Sequence, residues 1–229
     1  MSEATAQTFN HFALVRFTAA YWSAPRDERH RRLCGWLETL KSQVEALHCY
    51  QVFGVESASD VIVWSAIAGD DVAIPARFFG VFAEAMAPLR AQATLTTALW
   101  GFTQSSQYTR TRSRQEIDPF TAERQPYLVM YPFTKTAAWY QHDRDARRDM
   151  MMEHIKIGKQ YEDITQLLLY STGLQDQEFV VVYETRDLLR FSRLVTDLRS
   201  TTGRPYTERD TPLHTAIYQP GLEALERWL

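Results

Sequence analysis

Cysteine is scarce in this chain: Cys34 and Cys49 are the only two among 229 residues, with no CxxC pair and no Cys/His cluster. That excludes a disulfide framework and a structural zinc site built on thiolates. An excess of charge of one sign is also lacking. The 25 Lys and Arg stand against 28 Asp and Glu, a formal net charge of −3, so no nucleic acid and no anionic membrane is expected as a partner. No apolar run approaches the ~18 residues a membrane helix takes. The first dozen residues, ending HF at Phe12, have no basic start followed by an apolar stretch, so no secretory leader is expected. Gly-rich phosphate loops and Ser/His/Asp constellations are missing too. The expectation is a reduced, cytoplasmic protein whose 45% hydrophobic content suffices for one large or two small cores.

Along the chain the pattern alternates between periods of two and 3.6 residues. Phe12–Phe17 reads as a strand, and Pro25 with Asp27 and Glu28 opens a helix to about Val44. Strands His48–Val55 and Val61–Ala68 follow, then a helix from Pro75 carrying Phe78, Phe79 and Phe82, then the strand Leu95–Phe102. The order recurs after a polar stretch. Tyr127–Phe133 is a strand, Asp143–Tyr161 a helix, Ile164–Tyr170 and Phe179–Glu184 strands, Leu188–Arg199 a helix and Leu213–Tyr218 a last strand. The fold class expected is therefore α+β, as two ferredoxin-like β-α-β-β-α-β halves. The divisions are an N-terminal half, residues 1–103, a linker, 104–125, and a C-terminal half, 126–229. The linker holds Arg110, Arg112, Arg114 and Arg124.

The helix Asp143–Tyr161 is unusual. Helical spacing puts Met150, Met151, His154, Ile157, Gly158 and Tyr161 on one face, with Arg144, Arg148, Asp149, Lys156 and Lys159 mostly opposite. A helical glycine costs about 0.8–1 kcal/mol relative to alanine, a cost accepted where something bulky approaches. By pattern alone, His154 is either a hydrogen-bonded core residue or a ligand for a flat, apolar, metal-bearing group. The corresponding helix of the first half carries Trp36 and Leu37 in that place.

Tyr131-Pro-Phe-Thr-Lys135, Trp139-Tyr140, Met151-Met-Glu-His154 with Ile157-Gly158, Ser171-Thr-Gly-Leu174 and Glu178-Phe-Val-Val-Val together resemble the chlorite dismutase-like family. That family contains chlorite dismutases and coproheme decarboxylases. The resemblance is strong over Tyr127–Pro212 and lies mainly in element order over the first half. It implies a dimeric α+β barrel within one chain, assembled as a homopentamer, and a haem-dependent oxidoreductase.

The family's iron-ligating histidine matches His154, and Trp139, Met151 and Gly158 match porphyrin-side positions. Gln166 stands where chlorite dismutases carry a distal arginine, five residues before Ser171; a neutral amide holds an oxyanion less well than a guanidinium. Tyr131 matches the redox-active tyrosine of the decarboxylases, and Lys135 and Arg199 match cations that pair with propionates. The activity implied is conversion of iron coproporphyrin III to haem b with hydrogen peroxide. The alternatives are a chlorite dismutase-like haem protein or peroxidase, and a non-enzymatic haem carrier or sensor. The chain departs from the decarboxylases in a shorter Tyr131–His154 spacing, in Phe133, and in lacking a clear match to their late propionate-binding serine, with Arg204 near that point.

Overall fold

The computed structural model describes residues 7–104, 113–220 and 227–229. Arg110 and Arg112 of the expected linker, and residues 221–226 near the C-terminus, lie outside the described residues. In chain order the elements are β1 (Thr8–Phe17), α1 (Ala19–Ser23), α2 (Arg26–Lys41), β2 (Ala46–Gln51), β3 (Val61–Ala68), α3 (Ile74–Met86) and β4 (Ala93–Phe102). Then come β5 (Tyr127–Lys135), α4 (Ala137–Gln141), α5 (Arg144–Gly158), β6 (Thr165–Tyr170), β7 (Phe179–Thr185), α6 (Leu188–Arg199), β8 (Thr207–Arg209) and β9 (His214–Gln219). The doubled β-α-β-β-α-β order is present. The short α1, α4 and β8 were not foreseen, since three to five residues carry too little periodicity to read.

Residues group into two compact units, 1–103 with 119–123 and 215–229, and 104–118 with 124–214. The segment expected as a linker is thus shared between them. In the first unit the antiparallel strands run β4-β1-β3-β2-β9. β9, expected as the last strand of the second half, pairs with β2 through Cys49↔Gln219 and Tyr50↔Tyr218. Hydrophobic alternation marks a strand but not its neighbour, which is why this pairing was not legible. α2 buries Leu33, Trp36, Leu37 and Leu40, and α3 buries Phe78, Phe82 and Met86, in one core with Phe9, Ala13 and Val15 of β1. Sealing those large side chains stabilises this unit by roughly 1.5–3 kcal/mol each.

In the second unit the antiparallel order is β6-β7-β5-β8. α6 buries Phe191 and Leu194 against Val129 of β5 and Tyr183 of β7. α5 holds the place in the chain order that α2 holds in the first unit, yet none of its residues is fully buried. Its N-terminus is conventional: Asp143 caps it, accepting the Ala146 N–H at 2.8 Å.

Candidate functional site

Residues directly opposite in an antiparallel pair share a face of the sheet. The registers Tyr131↔Val181 and Phe133↔Phe179, with Gln166↔Tyr183 and Leu168↔Val181, therefore line up one face of β5, β7 and β6. Tyr131 and Val181 on that face pack against the α6 cluster. The covering is incomplete. Leu168 remains 41% exposed, and Gln166 beside it is exposed as well.

At the far end of β5, Lys135 lays its ammonium 4.1 Å from the centre of the Trp139 ring and 5.2 Å from that of Phe133. Its backbone N–H donates to Glu178 Oε2 at 2.8 Å. Burial, then the neighbouring Arg204 guanidinium, lower the Lys135 pKa to about 8, against an opposing pull from Glu178. Trp139 is buried in the short α4, and the Tyr206 ring lies 5.9 Å from it.

His154 is half-buried on α5. Burial is the main reason its pKa falls to about 4, with Lys135 as the next cause. The Lys135 charge therefore reaches the His154 ring. At neutral pH the imidazole is uncharged, the form that coordinates metals. It has no hydrogen bond among the described residues. A side chain on Gly158, one turn further on, would meet nothing within 4 Å. Met151 is half-buried on the same helix. Among the described residues no group of three or more His, Cys, Asp or Glu is placed to hold a metal ion. A metal taken by His154 has to bring most of its ligands with it, as an iron porphyrin does.

Tyr131 stacks beside Tyr183, with ring centroids 6.3 Å apart and planes 28° from parallel. Burial first, and then Tyr183, push the Tyr131 pKa well above the usual phenol value. Tyr183 was not foreseen: in Phe179-Val-Val-Val-Tyr183 it reads as one more strand aromatic, and only register puts it beside Tyr131. Arg199 sits at the end of α6 with its side chain 54% exposed, 4.0 Å from Asp210. Arg204 is closer to that carboxylate, at 2.5 Å.

Gln115 is another residue that nothing in the sequence pointed to. Its side-chain amide donates to the carbonyls of Gly158, Tyr161 and Ile164 at 3.3, 2.9 and 3.1 Å, just past the end of α5. Its own carbonyl accepts the Gln166 N–H at 2.7 Å, and Ile117 N–H donates to the Gln166 carbonyl. One residue thus ties the end of the His154 helix to the start of the Gln166 strand.

The structure brings Lys135 against Trp139 and sets His154 within reach of the Lys135 charge; Tyr131 and the exposed Gln166 share one face of the sheet, and Arg199 lies beside Asp210. Concave pockets of about 480 and 400 Å³ in the first unit, at Arg16–Trp22–Asp60 and at Arg32–Trp36–Glu84, do not involve these residues.

Residues 26–218 match the family model described as Chlorite dismutase. Coproheme decarboxylase from Mycolicibacterium smegmatis is 31% identical over 105 residues, 45% of this chain and 46% of that protein. The namesake from Staphylococcus saprophyticus is 35% identical over 85 residues, 34% of each chain. The matched stretches thus span half or less of these relatives. Crystal structures of chlorite dismutase from Candidatus Nitrospira defluvii share the fold. A variant in complex with cyanide superposes with a TM-score of 0.82 over 99% of this chain and 96% of that one, at 20% identity. A complex with imidazole gives 0.79 over 99% and 96%, at 22% identity.

Proposed function

Because this chain belongs to the chlorite dismutase family, we propose that it is a haem-dependent oxidoreductase, a coproheme decarboxylase that converts iron coproporphyrin III to haem b with hydrogen peroxide. The observation that carries this reading is the incompletely buried apolar face of α5. The helix in the same position of the first unit seals four large side chains, whereas α5 buries none, although Met150, Met151, Ile155 and Ile157 lie along it. A helix of that composition keeps its place when a flat apolar group covers it.

The residues present fit an iron porphyrin with several propionates. His154 would hold the iron through a neutral imidazole, and Met151, Gly158 and Trp139 would be its apolar surroundings. Lys135, with Arg199 further out, meets carboxylates that an apolar pocket accepts only beside cations. Gln166 offers a neutral amide on the sheet side. The bound iron supplies the oxidising equivalents of peroxide.

Tyr131 relays them. Its hydroxyl gives up a proton and an electron and then takes a hydrogen atom from the propionate chain. Tyr183, stacked beside it, is the neighbouring phenol on that face of the sheet. Each round balances as propionate plus peroxide plus one proton, giving a vinyl group, carbon dioxide and two waters. Two electrons leave the side chain and two reduce the peroxide. The test is mass spectrometry of the porphyrin after purified protein meets coproheme and peroxide. Haem b is expected from the unaltered chain, and bound but unchanged coproheme from Tyr131→Phe. Oxygen release from chlorite with no haem b would favour the chlorite dismutase alternative instead.

A further inference from the structure

Arg199 and Arg204 converge on one carboxylate. Arg204 Nη1 lies 2.5 Å from Asp210 Oδ2, and Arg199 Nη2 lies 4.0 Å from the same oxygen. The path of the chain sets this up. α6 ends at Arg199, a 3-10 turn spans Arg204–Tyr206, and β8 then pairs with the end of β5 through Lys135↔Thr207 and Thr134↔Arg209. The Thr136 N–H donates to the Tyr206 carbonyl at 2.9 Å, fixing the turn to the residues after β5. Arg204 thus stands beside the Lys135–Trp139 pair, and its charge reaches both Lys135 and Tyr131; that of Asp210 also reaches Tyr131.

Lys135, Arg199 and Arg204 bring three positive charges to this end of the site. Glu178 is engaged by the Lys135 backbone, which leaves Asp210 as the carboxylate for both arginines. The Arg204–Asp210 pair is partly open, with side-chain exposures of 35% and 20%. At that exposure solvent screens the pair, and a second carboxylate can reach the guanidinium.

We infer that Asp210 is an internal stand-in for a substrate carboxylate: it holds Arg204 ready in the empty site and yields it to a propionate when a tetracarboxylate porphyrin binds. The inference rests on the proposed function. It adds a step that favours turnover. Once the propionate beside Tyr131 has become a vinyl group it no longer competes for the guanidinium, Asp210 recovers Arg204, and the product is held less firmly than the substrate.

The test is an optical titration at low ionic strength of the full chain and its variants with iron coproporphyrin III and with its tetramethyl ester, which has the same ring and no carboxylate. Asp210→Asn removes the competitor and is expected to tighten binding of the acid about threefold or more. Arg204→Ala is expected to weaken it about tenfold, with Arg204→Lys restoring part of the loss. The ester is expected to respond to none of these changes. Melting of the unloaded variants reports folding separately, and Arg204→Lys retains a cation for Asp210. The inference is overturned if Asp210→Asn weakens coproheme binding or leaves it unchanged, or if acid and ester shift alike. No His154-dependent absorbance change in the unaltered chain would overturn the haem reading and this inference together. A His154-dependent change indifferent to Asp210 and Arg204 would overturn this inference alone.

Discussion

His154 and Lys135 have each moved toward the uncharged form for the same reason, burial, reinforced by a positive neighbour. The two shifts bracket a pH window for binding. The folded chain keeps His154 neutral down to about pH 4, whereas the unfolded chain protonates it near its ordinary value of 6.5. The stability contributed by the neutral ring is therefore fully present above about pH 6.5 and is lost as pH falls through about 4. Lys135 keeps its charge only below about pH 8, so its attraction for a carboxylate fades above that value. Coproheme affinity is expected to fall on the alkaline side of this window. Lys135→Met should flatten that limb, and Lys135→Arg should carry it to higher pH; affinities measured across the range in the three proteins test it. At this scale Tyr131, Lys135 and His154 could be singled out as candidates because a phenol, an amine and an imidazole in spaced motifs narrow the chemistry. Tyr183, Asp210 and Gln115 were not, because each matters only through a partner that register or a returning loop supplies.

α5 is held by polar contacts at both ends and at one point along its side. Asp143 caps the start, Gln115 gathers three carbonyls at the finish, and Glu153 accepts the Thr202 N–H at 2.9 Å from the side. Gln115→Leu leaves those carbonyls without their donor and is expected to lower stability by about 1–3 kcal/mol, read from denaturant unfolding of the unloaded chain. Gly158 makes the opposite case. It is the last helical residue and faces open space, so Gly158→Ala is expected to stabilise the unloaded chain by up to about 1 kcal/mol. The same methyl group stands where the porphyrin is proposed to lie, so binding should weaken as stability rises. A gain in both would place the ligand elsewhere. The long elements were legible through their periodicity: β3 and α6 begin and end where the alternation and the apolar stripe do. The β9 pairing was not, because a strand of that pattern fits more than one edge.

Two halves with one element order have diverged in what they leave uncovered. The first closes on itself, with Trp36, Phe78 and Phe82 in a continuous core and His11 sunk among phenylalanines, its pKa held at about 3 by burial. The second leaves its helix face only half-buried, with a neutral imidazole along it. No helix among the described residues is long and apolar enough to cross a membrane, so that face is not a spanning segment. The proposed function predicts one porphyrin per chain. The most direct measurement is an optical titration with iron coproporphyrin III of the unaltered chain and of His154→Ala. The account predicts saturation at one equivalent per chain with an absorbance shift typical of imidazole-bound iron, and loss of that shift in the variant. An identical spectrum in both proteins, or no saturable binding in either, would contradict it.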